Sequence, residues 1–267
     1  MIVGAGLKMY FGHRETVEWL GAVARVAEAH AGVREGAVTL FVLPSFPTLV
    51  HAVRILAPLQ VGVGAQDLCW ADRGPFTGEV SGAELAELGC SFVEVGHVER
   101  RTHFGETDEM ISRKTAAAFR NHLTPVICVG ESRPLAPEDA AEVCARQLRA
   151  LLTDSRRDGS AGPAVVAYEP HWAVGAEAAA APDYIRAVCG RLQSELQADD
   201  ALAGSQVIYG GSAGGGLLAE LAGTVDGLFL GRAAHDPAVL RAVLDEAVAV
   251  AAGSEPSSTA APTTDRF

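Results

Sequence analysis

The chain alternates short apolar runs with longer amphipathic segments from one end to the other. Short apolar runs bounded by turn residues are typical of buried parallel strands, and amphipathic segments are typical of the helices that connect such strands. The sequence predicts eight strands, at residues 2–5, 39–43, 61–65, 91–95, 124–129, 164–168, 206–209 and 226–230. This number of units in about 250 residues favours an α/β fold of one closed (β/α)8 barrel over a doubly wound sheet, which usually has fewer strands.

The composition does not change along the predicted barrel, so we expect a single domain over residues 1–252. Residues 253–267 consist mainly of Ser, Thr, Pro and Ala, and they are predicted to form a disordered tail because they can bury little apolar surface. Two shorter segments also carry predictions. Residues 154–162 are expected to form a polar turn, and residues 216–221 a short helix after the seventh strand.

The charge of the chain argues against polyanionic partners. Twenty-one Lys and Arg residues face 33 Asp and Glu residues, which gives a net charge of −12. A surface with this balance repels nucleic-acid backbones and anionic lipid headgroups, although backbone N–H groups can still hold a small anion locally. We therefore expect no nucleic-acid partner and no membrane partner.

The cysteines and histidines give no sign of a disulfide framework or a metal site. The five cysteines are widely spaced and form no C-x-x-C pair, which favours a reduced chain in the cytoplasm. Glu94 and His97 have the E-x-x-H spacing of some helical metal sites, but they lie on a predicted strand and its exit and have no partner motif. We expect neither a metal nor a cofactor.

Three side chains that could move a proton follow the ends of three predicted strands. Lys8 follows the first strand, His97 the fourth and Glu169 the sixth. The carboxyl ends of all strands of a barrel face the same way, so these side chains are expected to meet. A carboxylate can remove a proton beside a carbonyl, an imidazole can polarise the oxygen, and an ammonium can stabilise the resulting enediolate.

Glycine-rich turns after the last two strands could bind a phosphate. They contain Gly210, Gly211 and Ser212 after strand seven, and Gly231 and Arg232 after strand eight. Backbone N–H groups in such turns can point at an anion, and the short helix after Ser212 is expected to add its positive end.

At these positions the chain resembles triosephosphate isomerase over nearly its whole predicted domain. The motifs that carry the resemblance are Leu-Lys-Met at 7–9, Pro-Phe-Thr-Gly-Glu at 75–79, Gly-His-Val-Glu-Arg-Arg at 96–101, Phe-Gly-Glu-Thr-Asp-Glu at 104–109, Cys-Val-Gly-Glu at 128–131, Ala-Tyr-Glu-Pro at 167–170 and Tyr-Gly-Gly-Ser at 209–212. The resemblance implies the TIM-barrel fold and a cofactor-free isomerase acting on a small phosphorylated sugar.

The resemblance also implies roles for individual residues. Glu169 would be the base, His97 the electrophile and Lys8 the electrostatic stabiliser, and Glu99 would support the site by pairing with a nearby cation. Residues 170–179 would form a lid that grips the phosphate. In that lid Gly175 would donate its N–H to the phosphate, while Tyr209 and Ser212 would hold the lid shut. Thr77 would reach into a neighbouring subunit of a homodimer.

Several positions depart from the family pattern, and they surround the expected substrate. Gly6 stands where the family has Asn, Tyr10 where it usually has Asn, and Val98 where it has Ser. The lid has Gly-Ala-Glu at 175–177 instead of Gly-Thr-Gly, and Arg232 replaces the second glycine after strand eight. A site that loses one hydrogen-bond donor and gains a guanidinium is expected to change its substrate preference.

The resemblance therefore leaves the substrate open. We expect an isomerase of the triosephosphate isomerase type, which interconverts D-glyceraldehyde 3-phosphate and dihydroxyacetone phosphate. The alternative is a four-carbon substrate, L-erythrulose 1-phosphate or D-erythrulose 4-phosphate, as used by relatives in erythritol-type catabolism. A remote alternative is a barrel that binds a phosphorylated metabolite without catalysis, because fold alone does not fix function.

Overall fold

The computed structural model describes residues 1–253 and shows a closed barrel of eight parallel strands, paired in sequence order with β1 against β8. The strands are β1 Ile2–Gly6, β2 Thr39–Leu43, β3 Gly62–Ala65, β4 Phe92–Val95, β5 Thr124–Val129, β6 Val165–Tyr168, β7 Gln206–Tyr209 and β8 Gly227–Leu230. The predicted (β/α)8 barrel is thereby confirmed. The predicted tail at 253–267 lies outside the described residues except for Gly253.

Eleven helices of the described chain follow the strands and surround the barrel. They are α1 His13–Ala29, α2 Ala31–Arg34, α3 Leu49–Leu56, α4 Gly82–Leu88, α5 Val98–Phe104, α6 Asp108–Arg120, α7 Pro137–Leu151, α8 Thr153–Asp158, α9 Pro182–Gln197, α10 Leu217–Glu220 and α11 Pro237–Ala251. None of the helices in residues 1–253 has the length and apolar character needed to cross a membrane.

Side chains alternate between two apolar layers along each strand, because successive residues of a strand point to opposite faces. Val3 and Val166 pack outward against the helices, whereas Phe41, Val126 and Phe229 fill the barrel interior. The ring of Phe41 stacks on the ring of Phe92 at a centroid distance of 4.5 Å. The interior is therefore a packed core below the carboxyl ends of the strands.

The prediction of a polar turn at 154–162 is wrong, because α8 occupies its first half. Ser112 Oγ accepts a hydrogen bond from the backbone N–H of Asp154 at 2.9 Å, and Ser155 Oγ donates to the carbonyl of Leu152 at 3.0 Å. These contacts bury Asp154 and Ser155 against α6. A prediction from local polarity alone therefore places a turn where the chain forms a helix. The helix ends at Gly159, which has a φ of +73°.

Candidate active site

A cavity of about 650 Å³ opens at the carboxyl ends of the strands and brings the predicted proton-transfer residues together. Lys8, His97 and Glu169 all line it. Most of the other predicted site residues line it too, namely Glu99, Gly175, Gly210, Ser212, Gly231 and Arg232. Tyr209 and Gly211 stand behind this lining, where the ring of Tyr209 is buried and Gly211 packs on Pro170. Residues from five strand ends thus share one cavity.

The carboxyl group of Glu169 is buried directly after β6, and its Oε2 atom has no hydrogen-bond partner among the described residues. Burial raises the pKa of Glu169 to about 7, which is the range that suits a general base at neutral pH. Gly210 makes room for this carboxyl, because a Cβ atom at that position would lie 2.6 Å from Glu169 Oε1. The glycine-rich turn after β7 therefore shapes the base's position.

His97 lies at the N-terminus of α5 with its Nε2 atom 3.5 Å from Glu169 Oε2. Its Nδ1 atom accepts a hydrogen bond from the backbone N–H of Glu99 at 3.2 Å, which places the proton of the neutral ring on Nε2. Burial, together with the charge of Lys8, lowers the pKa of His97 to about 4. The imidazole is therefore neutral at pH 7 and can donate a hydrogen bond into the cavity.

Lys8 is held at the cavity wall by an ion pair and by its backbone. Its Nζ atom lies 2.6 Å from Glu99 Oε1, and its φ of +50° is in the left-handed region that non-glycine residues rarely adopt. Gln66 donates its amide to the carbonyls of Lys8 and Leu43, at 3.0 and 2.9 Å, and so fixes this turn. Strained backbone of this kind is common at active sites.

Residues 170–179 form a loop over the cavity, and two side chains from the end of β7 hold it. Ser212 Oγ lies within hydrogen-bond distance of the carbonyls of Ala173 and Ala176, at 2.7 and 3.0 Å. The hydroxyl of Tyr209 accepts a hydrogen bond from the N–H of Ala180 at 3.0 Å. The loop is thus held in its middle by Ser212 and at its C-terminal end by Tyr209.

Sequence reasoning assigned no role to Glu131, which anchors the same loop from below. Its buried Oε1 atom accepts hydrogen bonds from Trp172 Nε1 at 2.7 Å and from the Tyr184 hydroxyl at 2.9 Å. The Tyr168 hydroxyl lies 3.2 Å from its other oxygen. The partners are far apart in sequence, so no local pattern could have revealed this cluster.

Arg232 reaches the loop, where its Nη2 atom donates to the carbonyl of Gly175 at 3.2 Å. The expectation that the helix after Ser212 offers its positive end is wrong. The N–H groups of Gly216 and Ala219, at the start of α10, donate to the carboxylate of Glu246 at 2.8 and 2.7 Å. A 3-10 turn that follows Gly231, at Arg232–His235, borders the cavity instead.

Gly6, one of the departures from the family pattern, lies beside Phe229 inside the barrel. A Cβ atom on Gly6 would lie 3.1 Å from the ring of Phe229, so the phenylalanine borders the space that a side chain at position 6 would enter. Phe229 itself is buried and lines the cavity. Sequence reasoning identified Gly6 but missed Phe229, because only the pairing of β1 with β8 brings them together.

A buried charged cluster lies beside the cavity. Lys114 Nζ lies 2.6 Å from Asp67 Oδ1 and 2.5 Å from Glu106 Oε1, and Arg100 Nε lies 2.8 Å from Asp67 Oδ2. Asp67 and Arg100 also line the cavity. No cluster of three or more His, Cys, Asp or Glu side chains suited to a metal ion occurs in residues 1–253.

The closed (β/α)8 barrel holds a buried carboxylate, a neutral imidazole and an ammonium around one covered cavity. This arrangement defines the class of the protein, an isomerase that moves a proton between neighbouring carbons. A family model described as triosephosphate isomerase matches residues 1–247. The chain belongs to the triosephosphate isomerase family and is an intramolecular oxidoreductase.

Relatives with two different names share most of the chain. An L-erythrulose-1-phosphate isomerase of Pectobacterium atrosepticum is 49% identical over 247 residues, covering 92% of this chain and 95% of that protein. One of the same name from Rhizobium etli is 39% identical, over 87% of this chain and 86% of that protein. A triosephosphate isomerase of Moorella thermoacetica is 40% identical, over 76% of this chain and 84% of that protein.

Proposed function

We propose that the protein interconverts two four-carbon ketose phosphates, L-erythrulose 1-phosphate and D-erythrulose 4-phosphate. The proton leaves the hydroxyl-bearing carbon next to the ketone and is returned to the former carbonyl carbon through an enediolate. No atom or electron is lost or gained, so the reaction needs no cofactor. The substrate differs from a triose phosphate by one hydroxymethyl group on the carbon that loses the proton.

The geometry supports one role for each of the three central side chains. Glu169 removes and returns the proton, since its Oε2 atom is buried and free of protein hydrogen bonds in the described chain. His97 donates from Nε2 to the oxygens of the reacting carbons, and Lys8 stabilises the negative charge that develops on them. Glu99 orients Lys8 through their ion pair.

The phosphate is proposed to bind at the opposite end of the cavity, under the loop. Gly175, Ser212 and Gly231 line the cavity there and are proposed to donate their backbone N–H groups to the phosphate, and Gly210 and Gly211 shape the turn that carries Ser212. Arg232 adds a guanidinium, which can pair with a phosphate in a bidentate manner. Because Arg232 already contacts Gly175, it would couple phosphate binding to the position of the 170–179 loop.

The single observation that carries the choice of substrate is the position of the Phe229 ring beside Gly6. A side chain at position 6 would meet the Phe229 ring. The cavity therefore lacks the side-chain amide of the family's asparagine at this point and has an apolar wall in its place. A triose phosphate loses a hydrogen-bond partner there, while the added carbon of a tetrulose phosphate gains room and an apolar surface. The names of the relatives from Pectobacterium and Rhizobium support the same choice.

A homodimer in the cytoplasm is part of the proposal. Exposed apolar side chains lie beside the cavity mouth, where Met9 is 92% and Phe104 is 66% exposed. The loop that carries Phe76 and Thr77 is exposed and would enter this region of a second subunit. All five cysteines are buried free thiols, which suits a reducing compartment. Replacing Thr77 by Arg should shift the protein from dimer to monomer in light scattering.

The test of the substrate is a comparison of kcat/KM for L-erythrulose 1-phosphate and D-glyceraldehyde 3-phosphate with the same purified protein. We expect the four-carbon substrate to be favoured by at least about tenfold, the effect of one well-placed contact. A clear preference for the triose phosphate would overturn the proposal and make this a triosephosphate isomerase. Activity on neither substrate, with a binding signal for phosphorylated sugars, would support a non-catalytic barrel.

A further inference from the structure

Glu94 places a further carboxyl group in the cavity, on a wall where the barrel interior is otherwise apolar. Glu94 belongs to β4, three residues before His97, and its side chain points to the same face as Phe92. It is only 7% exposed, and it lines the same cavity as Lys8 and Glu169. A buried carboxyl group without strong partners costs free energy, so its presence requires an explanation.

The protein itself gives Glu94 little to bind. Within the described residues its side chain has one hydrogen bond, in which the thiol of Cys128 donates to Oε1 at 3.7 Å. A thiol is a weak donor. Neighbouring polar groups of the cavity are already engaged: Gln66 donates to two carbonyls, and Asp67 pairs with Arg100 at 2.8 Å. Glu94 therefore retains most of its hydrogen-bonding capacity for a ligand.

The carboxyl groups of Glu94 and Glu169 cannot both carry a charge without a cost in free energy. The thiol of Cys128 interacts with both Glu94 and Glu169, and the ammonium of Lys8 pairs with Glu99. Burial, and then the charge of Glu169, raise the pKa of Glu94 well above its usual range. When Glu169 is ionised as the base, Glu94 is thus held as the neutral acid, which can donate as well as accept.

We propose that Glu94 is a specificity-determining residue that donates a hydrogen bond to the terminal hydroxyl of the four-carbon substrate. The inference rests on the proposed function. The phosphate occupies the end of the cavity at Gly175 and Gly231, and His97 and Lys8 serve the oxygens of the reacting carbons. The fourth carbon extends away from the phosphate, towards the interior wall that Glu94 provides. A triose phosphate has no hydroxyl that reaches this wall.

The experiment compares Glu94→Leu and Glu94→Gln with the unchanged protein on three substrates: L-erythrulose 1-phosphate, its 4-deoxy analogue and D-glyceraldehyde 3-phosphate. Glu94→Leu should lower kcat/KM for L-erythrulose 1-phosphate by about 10- to 100-fold, the effect of one lost buried hydrogen bond. It should leave the values for the other two substrates within about threefold. Glu94→Gln keeps a donor at this position and should recover most of the loss.

Phe92→Leu is the matched control, because it changes the same face of the same strand below the cavity lining. It should affect all three substrates equally, and thermal melting should show that every variant is folded. An equal loss on all three substrates with Glu94→Leu would overturn the inference, as would no loss on any of them. A preference of the unchanged protein for triose phosphate would instead refute the proposed function, and the inference with it.

Discussion

His97 Nε2 lies 3.5 Å from Glu169 Oε2, yet the carboxylate oxygen has no hydrogen-bond partner in the described part of the chain. A base that is bound to its neighbour must break that bond before it can accept a proton, whereas this oxygen faces the cavity unpaired. The neutral imidazole and the unpaired carboxylate therefore frame a space for the two reacting carbons.

Replacing Glu169 by Gln keeps the shape of the side chain and removes the base. We expect kcat to fall by about 10²- to 10⁴-fold, the usual contribution of a positioned general base, while KM changes little. Steady-state kinetics with L-erythrulose 1-phosphate measure both values, and circular dichroism reports the fold. Retention of more than a tenth of the activity would contradict the assignment of Glu169 as the base.

The acid limb of the pH profile should follow Glu169. Because burial raises the pKa of Glu169 to about 7, the fraction in the basic form falls tenfold for each pH unit below that value, and kcat/KM should fall with it. The pKa of His97 is lowered to about 4 by its burial, so the imidazole stays neutral across this range.

A substrate phosphate also titrates near pH 6, so the pH profile needs a direct measurement on the protein. Carbon-13 chemical shifts of the glutamate carboxyl groups should show one resonance that titrates near 7 and is absent in Glu169→Gln. A titration of that resonance near 4.5 would refute the raised pKa.

The sequence predicted the barrel well because parallel strands that are buried on both sides appear as short apolar runs. It also placed Lys8, His97 and Glu169 on one face, since all strand ends of a barrel point the same way. It could not predict contacts between elements distant along the chain. Three such contacts depend on packing: that of Phe229 with the space at Gly6, that of Glu131 with Trp172, and that of Glu246 with the start of α10. Glu94 did give a local signal, as a charged residue on the interior side of a strand.

Amine-directed labelling should distinguish the two lysines of the chain, Lys8 and Lys114. The side chain of Lys8 is 25% exposed in the cavity, whereas that of Lys114 is 3% exposed and bound to two carboxylates. Reductive methylation of the folded protein should modify Lys8 but not Lys114, and activity should fall in step with the modification of Lys8. Peptide mass spectrometry measures both sites, and substrate should protect Lys8. Early modification of Lys114 would contradict its burial.

Lys114 should contribute more to stability than any surface cation, because Asp67 and Glu106 are buried around it. Lys114→Met leaves these carboxylates with Arg100 alone, and breaking a buried pair on one side costs about 3–5 kcal/mol. For a chain of this length that loss lowers the melting temperature by roughly 10 °C. Arg120→Met is the matched control, since it removes a partly exposed pair with Asp72 and should cost about 1 kcal/mol or less. Thermal melts of both variants test the difference, and equal shifts would show that the buried cluster is no more important than the surface pair.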